Sequence, residues 1–347
     1  MQKGIWLAAA ALMAFAPRAQ AQETPAGLMT DLEAHVAAAH SAAGKDFAWQ
    51  ADMMCLNAQY GGDLVGQFWA GSRMSANDQD FEPTEIFDGV YYVGLRDIGA
   101  YAIKTSKGVV LIDGLLPGQT DRYLIPHLKK VGITPDQITY VIATHSHEDH
   151  FGGAKTLQDR YKARVVMTGP DWDVVDKLPQ TGAGAPPRRD VVAADGDRIT
   201  VGDRTFTILL TPGHTVGALS VMFAVTDHGQ PHMALLFGGA GWGLKSMPMA
   251  MRPIYAKSLD HLGEAAAANH VDVALEGHPF LGATLARIAD ERVRKAGTPN
   301  PLVIGEDGYR RYLTVFKECH AASTDRYRLL TIKYGPDSKA WKTGFVG

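Results

Sequence analysis

Thr144-His145-Ser146-His147-Glu148-Asp149-His150 is the stretch on which the reading of this chain turns. It follows Tyr140-Val141-Ile142-Ala143 without a break, an apolar run of the kind that forms a buried strand. Side chains two apart on extended backbone point the same way, so His145 and His147 can grip a single ion. If the chain then turns into a helix near Phe151, Asp149 and His150 stand at the helix entry and can face a second ion. Imidazole and carboxylate suit zinc, which takes nitrogen ligands at about 2.0–2.1 Å. A solvated polar loop does not explain three histidines and an aspartate packed between positions 145 and 150.

Four ligands from one loop do not complete two sites, and two further histidines stand in suitable places. His214 lies in Thr211-Pro212-Gly213-His214-Thr215, a tight turn after the strand-like run 206–210. His278 lies in Glu276-Gly277-His278-Pro279, after the strand-like run 271–275. Both are on loops at strand ends, where scaffolds assemble sites. The ligands then divide into His145, His147 and His214 for one zinc, and Asp149, His150 and His278 for a second. Other histidines read as ordinary. His35 and His40 are five apart on an Ala-rich helix and share no face. His127, His228, His232, His261, His270 and His320 have no partner spacing.

Around these motifs the periodicity predicts short strands over 90–93, 100–105, 109–112, 139–143, 165–168, 206–210, 219–225, 234–237 and 271–275. Helices are expected over 28–43, 120–130, 151–162, 172–177, 256–269, 281–296 and 307–322, with a Gly/Pro loop over 180–190. Residues 53–75 show no clear period. Strands in meanders followed by strands with interspersed helices favour two mixed sheets with helices outside. The organisation expected is a segment 1–21, an N-terminal extension 22–84, a main domain 85–290, and a helical C-terminal extension 291–347 packed on the same domain.

Segment 1–21 has Lys3, a short apolar run and Ala19-Gln20-Ala21, the pattern of a secretory signal cleaved after Ala21. Export to the periplasm is therefore expected, with no membrane association after cleavage. Removing Lys3 and Arg18 takes the formal charge from −3 to −5. There is no basic stripe, so nucleic acid is not an expected partner; a small-molecule substrate is, taken by a monomer, with an oligomer left open. Cys55 and Cys319 would be free to pair in an oxidising compartment, but sequence does not give their distance, so paired and free forms both stay open.

The motif H-x-H-x-D-H after a buried strand, then T-P-G-H-T, then G-H-P, resembles the metallo-β-lactamase superfamily over about residues 85–290. The resemblance implies an α/β (α+β) chain folded as a four-layer αββα sandwich, with two zinc ions at one edge of its sheets. Many hydrolases of this superfamily carry an aspartate between the last two histidines. Here the equivalent stretch is Leu236-Phe237-Gly238-Gly239-Ala240-Gly241, without carboxylate or cysteine. The pattern is similar to the third subclass of metallo-β-lactamases, whose second zinc takes Asp, His and His. Asp113 matches a family aspartate that supports the metal loop from behind the ligands; as Asp-Gly it also reads as a plain turn residue.

The function so implied is that of a periplasmic antibiotic-resistance enzyme, a hydrolase opening the β-lactam amide with a zinc-bound hydroxide. His145, His147, His214 and Asp149 are then catalytic, Asp149 also orienting the nucleophile or carrying a proton. The subclass has serines near position 240 that hold the substrate carboxylate. This chain has Ala240, with Lys245 and Ser246 further on as candidate substitutes, and Trp242 and Tyr255 as candidate pocket walls. The alternatives are a hydrolase of the same fold acting on a lactone, thioester or phosphodiester, and a non-catalytic metal-binding periplasmic protein.

Overall fold

In a computed structural model of the protein, residues 24–61, 64, 79–182, 184–244 and 246–336 are described. The segment 1–21, read above as an expected secretory signal, Lys245 and residues 337–347 lie outside them.

The described residues begin with helices α1 (Pro25–Ala43) and α2 (Ala48–Tyr60). Strands β1 (Thr84–Phe87), β2 (Val90–Tyr92), β3 (Tyr101–Thr105) and β4 (Gly108–Ile112) follow as a meander. A π-helical turn, Thr120–Leu124, leads into α3 (Ile125–Lys130). Then come β5 (Ile138–Ile142), α4 (Glu148–Phe151), α5 (Ala154–Tyr161), β6 (Arg164–Thr168), α6 (Gly169–Val175) and β7 (Val191–Ala193). The second half holds β8 (Arg198–Val201), β9 (Arg204–Leu210), β10 (Leu219–Asp227), β11 (Gln230–Phe237), α7 (Arg252–Ala268), β12 (Val273–Glu276), α8 (Thr284–Arg292) and α9 (Gly305–Tyr334).

One sheet runs in the order β1-β2-β3-β4-β5-β6-β7, the other β12-β11-β10-β9-β8. Both are mixed: β4, β5, β6 and β7 are parallel neighbours in the first, and β11 and β12 in the second. Alternation along β4 shows how the layers form. Val110 and Ile112 face the second sheet, where they meet Ile208, Val221 and Leu236. Val109 and Leu111 face outward under Leu124, Leu128, Phe151 and Leu157. The outer face of the second sheet, with Leu235 and Phe237, is covered by Leu259 and Leu262 of α7 and Phe316 of α9. Phe47, Met54 and Cys55 from the N-terminal segment join this same cluster. The result is the αββα sandwich, its fourth layer built from both ends of the chain. Cys55 and Cys319 form a disulfide between α2 and α9.

Some elements differ from the sequence expectation. The helix over 151–162 is two pieces broken at Gly152-Gly153. A Cβ on Gly152 would lie 2.4 Å from Pro117, so the backbones approach too closely for a side chain. α2, β1, β7 and β8 carry no clear period in sequence. α2 buries residues on most of its sides, and β7 and β8 are short, largely exposed strands.

Candidate metal centre

Topology brings the motifs together. β4 and β5 are parallel, so Asp113 and His145, which follow them, emerge at one edge. β9 and β11 are both antiparallel to β10, and β12 is parallel to β11. The turns after β9 and β12, with His214 and His278, therefore emerge together too. Leu219 N donates to Thr144 O at 2.8 Å and Tyr101 OH to Glu276 O at 2.9 Å, pinning these ends across the two sheets.

The six side chains fall into two groups. In each, the ligand atoms lie within 4.8 Å of one another: His145, His147 and His214 in one, Asp149, His150 and His278 in the other. His147 Nδ1 stands 3.1 Å from both His145 Nε2 and His214 Nε2. His150 Nε2 and His278 Nε2 are 3.3 Å apart, each 3.6 Å from Asp149 Oδ2. The groups adjoin, with the His145 and His150 rings 3.9 Å apart at their centroids.

The nitrogens facing away from the centre are committed. His214 Nδ1 donates to Gly241 O at 2.9 Å and His278 Nδ1 to Asp97 O at 2.8 Å. His150 Nδ1 donates to Asp113 Oδ2 at 2.7 Å. Thr144 Oγ1 gives its proton to Asp113 Oδ2 and so accepts from His145 Nδ1 at 3.0 Å. A neutral imidazole has one N–H, so the Nε2 atoms of His145, His150, His214 and His278 are bare lone pairs aimed inward. Burial favours this neutral form. It pushes His214 down to about 3 and His278 down to about 4, holds His145 well below the ordinary imidazole range, and lowers His147 as well. Lone pairs that face one another without a proton between them require a cation. Tetrahedral nitrogens on zinc lie about 3.3 Å apart, which the donor spacings match. The residues present fit a pair of metal ions.

Two glycines make the loops possible. Gly213 has φ 133°, and a Cβ there would meet Tyr255 at 2.5 Å. A Cβ on Gly277 would lie 2.8 Å from His150 Cε1. Sequence reading missed Asp171, which is buried at the start of α6. Its Oδ2 accepts from Ser146 N at 2.9 Å and Thr215 Oγ1 at 2.7 Å, and its Oδ1 from Gly217 N at 2.9 Å. It thus ties the His145/His147 loop to the His214 loop. The only sequence signal was its place in Thr168-Gly169-Pro170-Asp171, a helix start.

The expected pocket walls need correction. Tyr255 is 0% exposed; its hydroxyl donates to Gly239 O at 3.1 Å and accepts from Gly241 N at 3.3 Å. Trp242 is 6% exposed and packs on Tyr255, Phe316 and His320. Tyr255 braces the 238–242 loop from behind and has no surface to offer a substrate, and Trp242, at the end of that loop, turns its ring into the core. Ser246 is exposed in the turn that follows, while Lys245 lies outside the described residues. His320, read as ordinary, is buried, and so is His127, which contacts Val93 O and Asp80.

Residues 93–226 match the family model of the metallo-β-lactamase superfamily. Among solved structures, the chain is similar to BJP-1, a subclass B3 metallo-β-lactamase of Bradyrhizobium japonicum. That likeness has a TM-score of 0.60 and 30% identity, covering 71% of this chain and 94% of that one. A mutant of the FEZ-1 metallo-β-lactamase from Legionella gormanii shares the fold, with TM-score 0.59 and 23% identity over 78% of this chain and 100% of that one. Among curated proteins, a hydroxyacylglutathione hydrolase of Acidiphilium cryptum is 29% identical over 170 residues, 47% of this chain and 65% of that protein. One from Rhodopseudomonas palustris is 35% identical over 86 residues, 25% of this chain and 29% of that protein. The chain thus spans less than two thirds of the length of both relatives.

Proposed function

We infer, since this chain belongs to the metallo-β-lactamase superfamily, that it is a zinc-dependent hydrolase and that its substrates are β-lactam amides. The observation that carries the reading is the convergence of the inward lone pairs with Asp149, in two sets of three. His145, His147 and His214 would hold one ion, and Asp149, His150 and His278 the other. When bound, such ions supply Lewis acidity, lowering the pKa of water to about 7 and polarising a carbonyl.

The chain's own residues prepare that chemistry. Asp113, Thr144, Gly241 and Asp97 fix which imidazole nitrogen is bare, so the site keeps its shape before substrate arrives. Asp149 Oδ2 sits at the junction of His150 and His278, where it would hold the second ion, and its carboxylate would also orient the nucleophile or carry a proton. No serine or cysteine nucleophile is required. Ser246, with Lys245 beside it, is our candidate for holding a substrate carboxylate.

Two features support the β-lactam over other substrates. The stretch Gly238-Gly239-Ala240-Gly241 runs beside His214 and brings no carboxylate to the ions, and the subclass B3 likeness covers 94% of BJP-1. Export to the periplasm accords with this and with the Cys55–Cys319 disulfide, since such bonds persist in oxidising compartments. A second reading, cleavage of an acylglutathione thioester, is favoured by the hydroxyacylglutathione hydrolase relatives.

The test is turnover of a penicillin, a carbapenem, S-lactoylglutathione, a homoserine lactone and a phosphodiester by purified protein, with zinc and with chelator. Zinc-dependent opening of the two β-lactams, faster than any other cleavage, is expected. Thioester cleavage without β-lactam turnover would establish the second reading instead.

A further inference from the structure

Behind the loop that orients His214, a cleft of about 380 Å³ opens between α7 and α9. Its floor holds Arg252, which is 1% exposed, and His320, which is 3% exposed. Arg252 Nη1 donates to Ser323 Oγ at 3.2 Å, Nη2 donates to Leu244 O at 2.9 Å, and the guanidinium lies 4.6 Å from the Tyr327 ring centroid. No carboxylate pairs with it among the described residues. Its Nε has no hydrogen-bond partner there, and neither has His320 Nε2.

A buried cation without an anion is costly, and proteins retain one where something else neutralises it. The strain shows in the group itself: burial pushes Arg252 down to about 10, with Arg328 adding to the effect. The other charges in the cleft already have opposites. Lys317 Nζ lies 2.7 Å from Asp260, and Arg328 lies 3.3 Å from Asp325. Arg252 is also the first residue of a 17-residue helix, whose amino end adds positive potential.

We propose that this cleft is a binding site for a small organic monocarboxylate, taken by Arg252 and His320. The class follows from the walls. One unit of positive charge is uncompensated, which suits a monoanion. Asp260 and Asp325 are matched by Lys317 and Arg328, so no further positive charge is left over for a second negative one. Met249, Pro253, Ala256 and Ala321 line the rest and offer their surface to a hydrocarbon body. The volume falls in the range of about 300–1,000 Å³ usual for small-molecule sites. An occupant would sit against the support of the metal loop. His320 is 4.9 Å from Tyr255 and 5.2 Å from Trp242 between ring centroids, and Tyr255 holds Gly241, the acceptor for His214.

The experiment titrates zinc-loaded full-length protein with 4-bromobenzoate, its neutral analogue 4-bromobenzamide, and inorganic phosphate, followed by calorimetry and by tryptophan fluorescence. Saturable, submillimolar binding of the benzoate is expected, with the amide and phosphate at least tenfold weaker. Ala321→Phe fills the cleft and leaves Arg252 in place; it should weaken the benzoate at least tenfold and leave turnover unchanged. Arg252→Lys should weaken it similarly. A crystal soaked with 4-bromobenzoate should show bromine between α7 and α9. Bromine only at the histidine cluster, benzoate binding unaltered by Ala321→Phe, equal affinity for phosphate, or no binding would each overturn the proposal.

Discussion

Asp113 Oδ2 accepts a hydrogen bond from His150 Nδ1 at 2.7 Å, with Asp113 held at φ 62°, a left-handed conformation that L-residues rarely adopt. The same carboxylate accepts from Thr144 N at 2.8 Å and Thr144 Oγ1 at 3.0 Å, and Thr144 in turn fixes His145. One buried side chain therefore orients a histidine of each set.

Removing it should loosen both. Asp113→Ala is expected to weaken zinc binding by about 10–100-fold at each ion, the usual effect of losing such a support. Competition with a chromophoric chelator measures this directly. Asp113→Asn tolerates the positive φ and keeps a hydrogen-bonding side chain, so it should fall between the alanine variant and the parent. Unchanged affinity in Asp113→Ala would reduce the residue to the turn former that Asp-Gly first suggested.

Asp171 should act on one set only. Its bonds reach Ser146, Thr215 and Gly217, which flank His145, His147 and His214, and none goes to Asp149, His150 or His278. Asp171→Ala is expected to release the first ion preferentially, lowering bound zinc from about two to about one per chain. His214→Ala should do the same with nearly complete loss of turnover, and His278→Ala should empty the other site. Metal analysis after gel filtration distinguishes the patterns, and equal small losses in all three would mean the ligand sets are wrongly drawn.

The contrast between Asp113 and Asp171 also shows what a sequence makes legible. Histidines spaced as 145, 147 and 150 after an apolar strand are rare enough to stand out, and the strand itself is betrayed by period and β-branching. Asp171 carries no such mark, because its role arises where two distant loops meet. Tyr255 was misplaced for a related reason. An aromatic near the site in sequence reads as a wall, and only the approach of Gly213 and Gly239 shows it to be buried. The helix Ala48–Tyr60 escaped because Gln50, Ala51, Met53, Met54, Cys55, Asn57 and Ala58 are all buried, which erases the one-sided stripe.

The disulfide should matter for stability and not for chemistry. It closes a sequence separation of 264 residues and joins α2 to α9 within the outer core cluster, and neither cysteine belongs to the two ligand sets. Replacing both cysteines by alanine is expected to lower unfolding free energy by about 2–4 kcal/mol, chiefly by freeing the unfolded chain. Urea unfolding of the oxidised protein and the double variant checks this. Turnover at 25 °C should be unchanged; a large loss would mean that α2 and α9 shape the site itself.

His320 should set part of the acid limit of stability. Burial pushes it down to about 3, with the Arg252 guanidinium adding to the shift, against 6.5 for an ordinary imidazole. Above pH 6.5 the ring is neutral in both states and costs nothing. As the pH falls below 6.5 the unfolded chain takes up a proton that the folded chain refuses, so folding weakens progressively until about pH 3, where the folded protein is protonated too. The slope for one such group is at most about 1.4 kcal/mol per pH unit. The metal-site histidines titrate in the same range, so the His320 part must be taken as a difference. His320→Phe keeps an aromatic ring beside Trp242 and Tyr255 and removes the proton site. Whatever it costs at pH 7.5, that cost should shrink steadily between pH 6.5 and pH 4.5, because the parent loses the extra stability and the variant does not. Urea midpoints at intervals of half a pH unit give the comparison; parallel curves for the two proteins would show that His320 is free to charge where it lies.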